Sequence, residues 1–224
     1  MIRALVFDFD GLILETEEPV YLSWQELYQQ FGCQLSFEDW GSIIGTANGE
    51  FDPRRTLERC VGHPIPEDAL QKRLQRETEL ILDRPVLPGV EAYLKDAKSL
   101  DLKVGLASSS PCSWVTTHLE RLGLIGYFQV IRASDDVKRT KPDPELYLSA
   151  CQGLGVPASQ AIALEDSPNG VAAAKNAGMY VVAIPNILTR RLPLEQADLH
   201  LKTLEDMKLE SLLAKAEARL TLKV

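Results

Sequence analysis

The feature that most constrains the fold is a set of short apolar runs rich in β-favouring residues, each followed closely by polar or turn-forming residues. Runs of this length suit strands buried on both faces and are too short for isolated helices. The clear runs are residues 2–7, 102–107, 161–164 and 179–184, with a weaker one at 128–131. Because the runs recur along the chain, they predict the strands of one sheet.

Helical patterns lie between these runs. Apolar residues recur at helical spacing after Pro88 and Gly89, and again before Gly123, where a helix would stop. The first set is Val90, Tyr93, Ala97 and Leu100, and the second is Val115, Leu119 and Leu122. The alternation of strand, helix and strand predicts an α/β fold with a Rossmann-like parallel sheet and helices on both of its faces.

Residues 17–82 interrupt this alternation, because they show helical periodicity and no convincing strand. Their apolar stripes are Val20, Trp24, Tyr28 and Phe31, then Leu70, Leu74 and Ile81. We expect these stripes to be the packing faces of an inserted α-helical cap domain. Residues 83–89 contain proline and glycine and return the chain to the sheet. The expected domains are an α/β core of residues 1–16 and 83–224 and a helical cap of residues 17–82.

Charge and cysteine content exclude several classes of protein. The net charge is −8, from 24 basic and 32 acidic side chains, which disfavours a nucleic-acid-binding or anionic-membrane surface. No stretch is apolar for the ~18 residues that a membrane span needs, and the short first run reaches Asp8, so we expect neither a span nor a signal peptide. The four cysteines, Cys33, Cys60, Cys112 and Cys151, are far apart and form no CxxC pair. We therefore expect free thiols in a cytoplasmic protein.

The first apolar run ends in Asp8-Phe9-Asp10-Gly11. In open parallel sheets, ligands bind at the carboxyl ends of the strands. Side chains two residues apart on an extended chain point to the same side, so Asp8 and Asp10 could share a divalent cation that offsets their repulsion. Gly11 then permits a sharp change of direction. The alternative interpretation of these four residues is an ordinary polar turn.

Two later segments carry groups that could bind a phosphate. The run 102–107 is followed by Ser108-Ser109-Ser110-Pro111, whose hydroxyl and N–H groups at a helix start could hold phosphate oxygens. A serine before this proline could instead be a helix N-cap. Lys141 also precedes a predicted helix, and its ammonium could either contact an anion at the edge of the sheet or lie in solvent.

The run 161–164 is followed by Glu165-Asp166-Ser167-Pro168. Ser167 could be an N-cap, but two acids leaving a buried strand are unusual without a cation or hydrogen-bond donors nearby. Together the strand ends supply a nucleophilic carboxylate, a second carboxylate, hydroxyl donors, an ammonium and a further acidic pair. This inventory predicts magnesium-dependent phosphoryl transfer.

Other motifs are weaker. Gly153-Leu154-Gly155 resembles half of a dinucleotide-binding fingerprint, but it follows a helical pattern and is more typical of a helix end. The sequence contains no GxxxxGK, HExxH or GxSxG motif. His63, His118 and His200 lack ligand-like spacing, so we expect each to be a surface residue or a structural residue with satisfied hydrogen bonds.

The four segments occur in the motif order of the haloacid dehalogenase-like hydrolase superfamily, which the chain resembles over essentially its whole length. The resemblance is to the branch whose helical cap is inserted between the first and second motifs. It implies that Asp8 attacks phosphorus to form an aspartyl-phosphate and that Asp10 serves as acid and then base. It also implies phosphate contacts from Ser108 and Lys141. The implied Mg²⁺ ligands are Asp8, the main-chain carbonyl of Asp10, Asp166, and Glu165 directly or through water.

Within the superfamily, Asp10 favours phosphate substrates, because the true dehalogenases have no aspartate there. The LASSS, KPDPE and LEDS segments resemble those of the phosphoglycolate phosphatase and β-phosphoglucomutase groups. A mutase of this kind has a histidine and an arginine where this chain has Val20 and Asn48, and both departures count against a mutase. Arg54 or Arg55 could replace the missing positive charge.

We therefore expect a magnesium-dependent phosphatase acting on a small phosphorylated metabolite, such as a sugar phosphate or a phosphoglycolate-like acid. A phosphoglucomutase-like mutase is the second hypothesis. A non-catalytic protein that binds a phosphorylated ligand or a partner protein is a distant third. Substrate choice depends on the cap loop of residues 45–55, and Glu15 stands at the expected hinge where an aspartate is common.

Overall fold

The computed structural model describes residues 1–46 and 50–221. Its centre is a parallel sheet of six strands in the order β3-β2-β1-β4-β5-β6. The strands are β1 (Ala4–Phe7), β2 (Lys103–Ala107), β3 (Val130–Arg132), β4 (Ala161–Glu165), β5 (Tyr180–Ala183) and β6 (Leu199–His200). All five predicted strands are confirmed. The two-residue edge strand β6 was missed, because so short a segment has no periodicity to recognise.

Nine α-helices occur in the described part of the chain. They are α1 (Glu17–Gln30), α2 (Phe37–Gly41), α3 (Pro53–Val61), α4 (Glu67–Leu82), α5 (Val90–Ser99), α6 (Cys112–Arg121), α7 (Glu145–Leu154), α8 (Pro168–Asn176) and α9 (Leu209–Thr221). Gly155, in the left-handed conformation, is the C-cap of α7, so the interpretation of the Gly153–Gly155 segment as a helix end is confirmed.

Strand β1 shows why these residues form a buried central strand. All four of its residues are buried, and successive side chains point to opposite faces. Leu5 and Phe7 join one apolar cluster with α5, α6 and α9, whereas Ala4 and Val6 join a second cluster with α7 and α8. Helices therefore cover both faces of the sheet, and the predicted Rossmann-like α/β architecture is confirmed.

Helices α1–α4 occupy the region in which the sequence predicted helices. Among the described residues from 17 to 82 there is no strand. Leu27, Tyr28, Trp40 and Leu57 belong to a third apolar cluster, built mainly from these helices and joined by Leu188 from the loop after β5. The assignment of residues 17–82 to a separate cap domain stays a prediction.

The cysteines correct one expectation. Cys33 and Cys60 form a disulfide, so the prediction of four free thiols is wrong, whereas Cys112 and Cys151 are free. Packing of the segment after α1 against α3 brings together two residues that are 27 positions apart, and no local pattern reports such proximity. The expected cytoplasmic location loses the support that free thiols gave it. None of the described helices has the length and apolar content needed to cross a membrane.

Candidate active site

The register of the sheet brings the motif residues to one edge. Phe7 lies opposite Leu106 on β2 and opposite Leu164 on β4. The next residues, Asp8 after β1 and Glu165 at the end of β4, are therefore neighbours on adjacent strands. β1 is central, and the chain crosses to β2 on one side of it and β4 on the other, which is where parallel sheets open a crevice for ligands.

A buried carboxylate cluster occupies this crevice. Asp8, Glu165 and Asp166 can each offer an oxygen such that the three atoms lie within 4.8 Å of one another, and none of the residues is more than 4% exposed. Lys141 lies beside the cluster, with Nζ 2.5 Å from Asp8 Oδ1 and 2.6 Å from Glu165 Oε1. Lys141 is only 1% exposed, so the alternative of a solvated surface lysine is wrong.

Burial and mutual repulsion shift the pKa values of this cluster. Burial, and next the charge of Glu165, raise the pKa of Asp8 to about 7, although Lys141 opposes the shift. Burial and the charges of Asp8 and Glu165 hold the pKa of Asp166 well above its ordinary value. Burial disfavours the charged form of Lys141, but the two carboxylates beside it produce a net increase in its pKa.

The donor set fits a divalent cation. Three buried carboxylates face one ammonium, so the cluster carries excess negative charge in a poorly solvated place. Carboxylate oxygens are the ligands that Mg²⁺ prefers, and its charge would offset their repulsion. A metal-binding role is therefore consistent with the residues present.

Glu165 is held more tightly than the other two acids. Its Oε1 accepts hydrogen bonds from Tyr147 Oη at 2.5 Å and from Lys141, and its Oε2 accepts from the Ser167 hydroxyl at 3.2 Å. Ser167 also accepts from Gly170 N at 3.1 Å, so its predicted role as the N-cap of α8 is confirmed. A Cβ on Gly170 would lie 1.9 Å from Glu165 Oε1, and this close packing requires glycine.

The Asp10 carboxylate lies outside the three-acid cluster and is surrounded by donors. Thr16 Oγ1 donates to Oδ1 at 2.8 Å and Trp114 Nε1 donates to the same oxygen at 3.0 Å. Ser110 Oγ donates to Oδ2 at 2.6 Å, and Ser108 Oγ lies 3.3 Å from that oxygen. Thr16 and Trp114 were not predicted as site residues, and Ser110 was predicted only as one hydroxyl of the serine segment. Only the position of Ser110 within the serine run gave a signal.

The serine segment behaves differently from its helix-cap interpretation. The N-cap position of α6 is Pro111, which makes no side-chain cap, so a capping serine before this proline is wrong. Asp135 Oδ2 accepts from Cys112 N at 2.7 Å instead. Ser108 is fully buried and faces Asp10, whereas Ser109 Oγ donates to the carbonyl of Gly45 at 3.1 Å, across the crevice.

Gly11 is required by close packing as well as by its backbone conformation. Its φ is +78°, in the left-handed region, as the expected sharp change of direction requires. A Cβ at this position would lie 2.4 Å from Asp166 Oδ2 and 2.6 Å from Asn186 Nδ2. A larger residue would therefore collide with the groups around the acidic cluster.

A cavity of about 320 Å³ lies between the strand ends and helices α1 and α2. Its lining includes Asp8, Asp10 and Ser108–Ser110 on the sheet side and Val20, Trp40, Ile43 and Ile44 on the helical side. Among the described lining residues, none is basic. Arg54 and Arg55 form ion pairs with Glu58 and Asp52 and lie outside this lining, whereas Asn48 falls outside the described residues.

The exposure and hydrogen bonds of Glu15 and of the three histidines are those of structural residues. Glu15 is 8% exposed, and its Oε1 accepts from Glu18 N at 3.1 Å, at the start of α1. His63 is exposed, and His200 Nε2 lies 2.9 Å from the carbonyl of Leu194. His118 is buried, and its Nδ1 has no hydrogen-bond partner among the described residues, so the expectation of a satisfied histidine is wrong there.

The comparisons with known proteins agree with this geometry. YhcW of Bacillus subtilis, a phosphatase by name, is 47% identical over 214 residues, which are 95% of this chain and 97% of that protein. A phosphorylated carbohydrates phosphatase of Thermotoga maritima is 31% identical over 188 residues, 79% of this chain and 82% of that protein. The crystal structure of β-phosphoglucomutase from Clostridium difficile has a TM-score of 0.73 at 26% identity, covering 99% of this chain and all of that chain.

The family model that matches residues 5–184 describes haloacid dehalogenase-like hydrolases. The match begins in β1 and ends just beyond β5, so it includes all the motif residues gathered at the sheet edge. The chain therefore belongs to the haloacid dehalogenase-like hydrolases.

Proposed function

We propose that this protein is a magnesium-dependent phosphatase that hydrolyses a small phosphorylated metabolite through an aspartyl-phosphate at Asp8. The observation that carries the proposal is the meeting of Asp8, Asp10, Lys141 and the Glu165–Asp166 pair at one sheet edge that borders a cavity. Family membership and the phosphatase relatives support the same chemistry.

In the first step, an Asp8 carboxylate oxygen attacks phosphorus, the ester P–O bond breaks, and Asp10 gives a proton to the leaving oxygen. In the second step, Asp10 takes a proton from water as the water attacks phosphorus and the bond to Asp8 breaks, which releases phosphate. Lys141 favours the ionised, nucleophilic form of Asp8. The donors on Asp10 hold its carboxylate in place between the two steps.

The phosphoryl oxygens would be held by Ser108, Ser109 and Lys141. Ser109 would give up its contact with the Gly45 carbonyl to do so. Mg²⁺ would be held by Asp8, the main-chain carbonyl of Asp10 and Asp166, with Glu165 contributing directly or through water. When bound, it offsets the negative charge of the carboxylates and of the transferring phosphoryl group.

The cavity favours substrates with one phosphate and an uncharged leaving group. No described residue of its lining is basic, so a second phosphate or a carboxylate would find no positive partner there. The volume of about 320 Å³ suits a small molecule, and the Thermotoga maritima relative is named for phosphorylated carbohydrates. Sugar monophosphates therefore stand ahead of phosphoglycolate-like acids.

A phosphosugar mutase is the second candidate, favoured by the structural similarity to β-phosphoglucomutase. A mutase must bind a bisphosphate, which needs a positive group on the cap side of the cavity. Val20 lines the cavity, and Arg54 and Arg55 are paired elsewhere, so the described residues do not supply that group. Hydrolysis is therefore the better supported reaction.

Phosphate release from a panel of sugar monophosphates, bisphosphates, phosphorylated acids and nucleotides tests the proposal. We expect release from a few sugar monophosphates in the presence of Mg²⁺ and its loss with chelator. A glucose 1-phosphate sample primed with bisphosphate should give more free phosphate than glucose 6-phosphate. Dominant isomerisation would instead establish a mutase, and binding without turnover across the panel would establish a non-catalytic protein.

Replacement of the nucleophile gives a sharper check. Asp8→Asn keeps the size of the side chain but removes the attacking oxygen charge, so turnover should fall by at least about 10³-fold, the order of loss typical for a catalytic side chain that acts in the transition state. Thermal unfolding should show that the variant remains folded. Undiminished Mg²⁺-dependent hydrolysis by the folded variant would refute Asp8 as the nucleophile.

A further inference from the structure

We propose that Asn186 is a positioning residue that sets the orientation of the Asp166 carboxylate for cation binding. Asn186 lies in the loop after β5, and its Nδ2 donates to Asp166 Oδ2 at 2.8 Å. The inference rests on the proposed metal site and adds to it a residue that contributes no ligand atom. No sequence motif points to Asn186.

The local turn determines which end of the Asn186 amide faces Asp166. Asn186 Oδ1 accepts from Leu188 N at 2.8 Å and from Thr189 N at 2.9 Å. Because the carbonyl end is engaged by two N–H donors, the amino end is the one left for the carboxylate. Asn186 N also donates to Thr189 Oγ1 at 2.9 Å, which closes the turn from the other side.

The loop that carries Asn186 is itself anchored. Thr189 is fully buried, and Leu188 packs in the apolar cluster of the helical region. The Arg191 guanidinium lies 3.5 Å from the centre of the Phe37 ring on α2. The anchored loop therefore holds the Asn186 amide in place against the Asp166 carboxylate. A group that orients a metal ligand must itself be held in this way.

The Asn186 amide approaches Asp166 in a space left by Gly11. A Cβ on Gly11 would lie 2.4 Å from Asp166 Oδ2 and 2.6 Å from Asn186 Nδ2, so the hydrogen bond occupies the place of a side chain. A donor on Oδ2 selects one orientation of the carboxylate, and in that orientation an oxygen of Asp166 lies in the three-acid cluster. Partners of this kind typically change metal affinity by about 10- to 100-fold when they are removed.

Calorimetric titration of Mg²⁺ into the full chain, without substrate, tests the role. Asn186→Leu removes the donor, and we expect the Mg²⁺ dissociation constant to rise by about 10- to 100-fold. Asn186→Ser keeps a turn-forming oxygen but is too short to reach Asp166, so it should lose a similar amount of Mg²⁺ affinity. It takes the place of the leucine variant in the test if that variant does not fold. Thr189→Val is the matched control, because it weakens the same turn while it leaves the amide in place, and its dissociation constant should stay within about threefold of wild type.

The outcomes separate this role from the proposed function. Unchanged Mg²⁺ affinity in the folded Asn186 variants would overturn the positioning role and leave the phosphatase proposal standing. An equal loss in Thr189→Val would also overturn it, because the loop as a whole rather than the amide would then be responsible. Failure of the wild-type protein to bind Mg²⁺ would overturn the metal site on which both rest.

Discussion

Lys141 shows how the surroundings of a single residue decide its role. In the sequence it is one lysine before a helix, with solvent and anion contact as alternatives. In the structure it is buried, and it contacts two carboxylates, Asp8 just after β1 and Glu165 at the end of β4. A charge buried in this way is retained only when it is paired, so the residue is part of the site's electrostatic balance.

Lys141→Met should destabilise the protein. It leaves Asp8 and Glu165 buried without their ammonium, and breaking such a pair costs about 3–5 kcal/mol. Urea unfolding in the presence of chelator measures the loss without compensation by a cation. Lys138→Met, at an exposed site in the same loop, should change the free energy of unfolding by less than about 0.5 kcal/mol. Equal stability of the two variants would contradict the structural pairing.

Asp10 shows that a side chain can be predicted from the sequence when its hydrogen-bond partners cannot. Its position two residues after Asp8 predicts a second carboxylate on the same side of the strand. Its donors come from Thr16, Ser110 and Trp114, which are 6, 100 and 104 positions away. The presence of the carboxylate could be predicted, but the groups that hold it could not, because hydrogen bonding across the fold leaves no local sequence pattern.

At the scale of elements, helical spacing predicted α5 and α6 well, whereas the residues that begin them were harder to predict. The stripe from Val90 to Ala97 is the buried face of α5, which packs on the sheet. At α6, by contrast, the N–H of Cys112 is satisfied by Asp135 from another segment. A periodic stripe is a local property, whereas a helix end can take its partner from anywhere in the fold.

Tyr93 on α5 gives a pH prediction. Its hydroxyl donates to the carbonyl of Met207 at 2.7 Å, and burial raises its pKa from 10.0 to about 12. The unfolded chain therefore ionises first, so this contribution to stability is complete below pH 10 and is lost as the pH rises through 12. The slope is about 1.4 kcal/mol per pH unit within that window.

Tyr93→Phe should remove this part of the alkaline dependence. At neutral pH the variant should lose about 1 kcal/mol for the missing hydrogen bond. Urea unfolding of both proteins at pH 8, 10 and 11 checks the prediction, and at pH 11 the gap in the free energy of unfolding should close or change sign, because the alkaline loss of about 1.4 kcal/mol exceeds it. A gap that stays constant across the series would contradict the assignment to Tyr93.

At the scale of the whole molecule, the helical region rests against the strand ends and encloses the cavity. Asn169 Nδ2 on α8 donates to the carbonyl of Ile44 at 2.8 Å, and Ser109 donates to that of Gly45. A Cβ on Gly45 would lie 2.2 Å from Ser167 Oγ. These contacts join the two parts of the chain directly beside the acidic cluster, so the proposed cation site and the cavity lie at the same interface.

Mg²⁺ should stabilise the whole fold. Binding to the folded state alone adds about 2.7 kcal/mol at one hundred times the dissociation constant, or roughly 5–10 °C in Tm for a protein of this size.

Asp166→Asn should have two effects of opposite sign. Without Mg²⁺ the variant should melt above wild type, because burial and the neighbouring carboxylates disfavour the ionised form of Asp166, and added Mg²⁺ should raise its Tm less. Differential scanning calorimetry with Mg²⁺ and with chelator measures both, and equal Mg²⁺ shifts in the two proteins would contradict the ligand assignment.

The sequence by itself determined five of the six strands, most of the helices, and the residues that meet at the sheet edge. It could do so because strand and helix periodicity are local, and because parallel strands place their carboxyl ends on one side whatever the rest of the fold does. Only the tertiary structure decided that Cys33 bonds to Cys60, that Trp114 faces Asp10 and that Asn186 faces Asp166. Each of these contacts joins segments distant in the chain, and their proximity follows from the packing of helices and loops around the sheet rather than from any pattern of neighbouring residues.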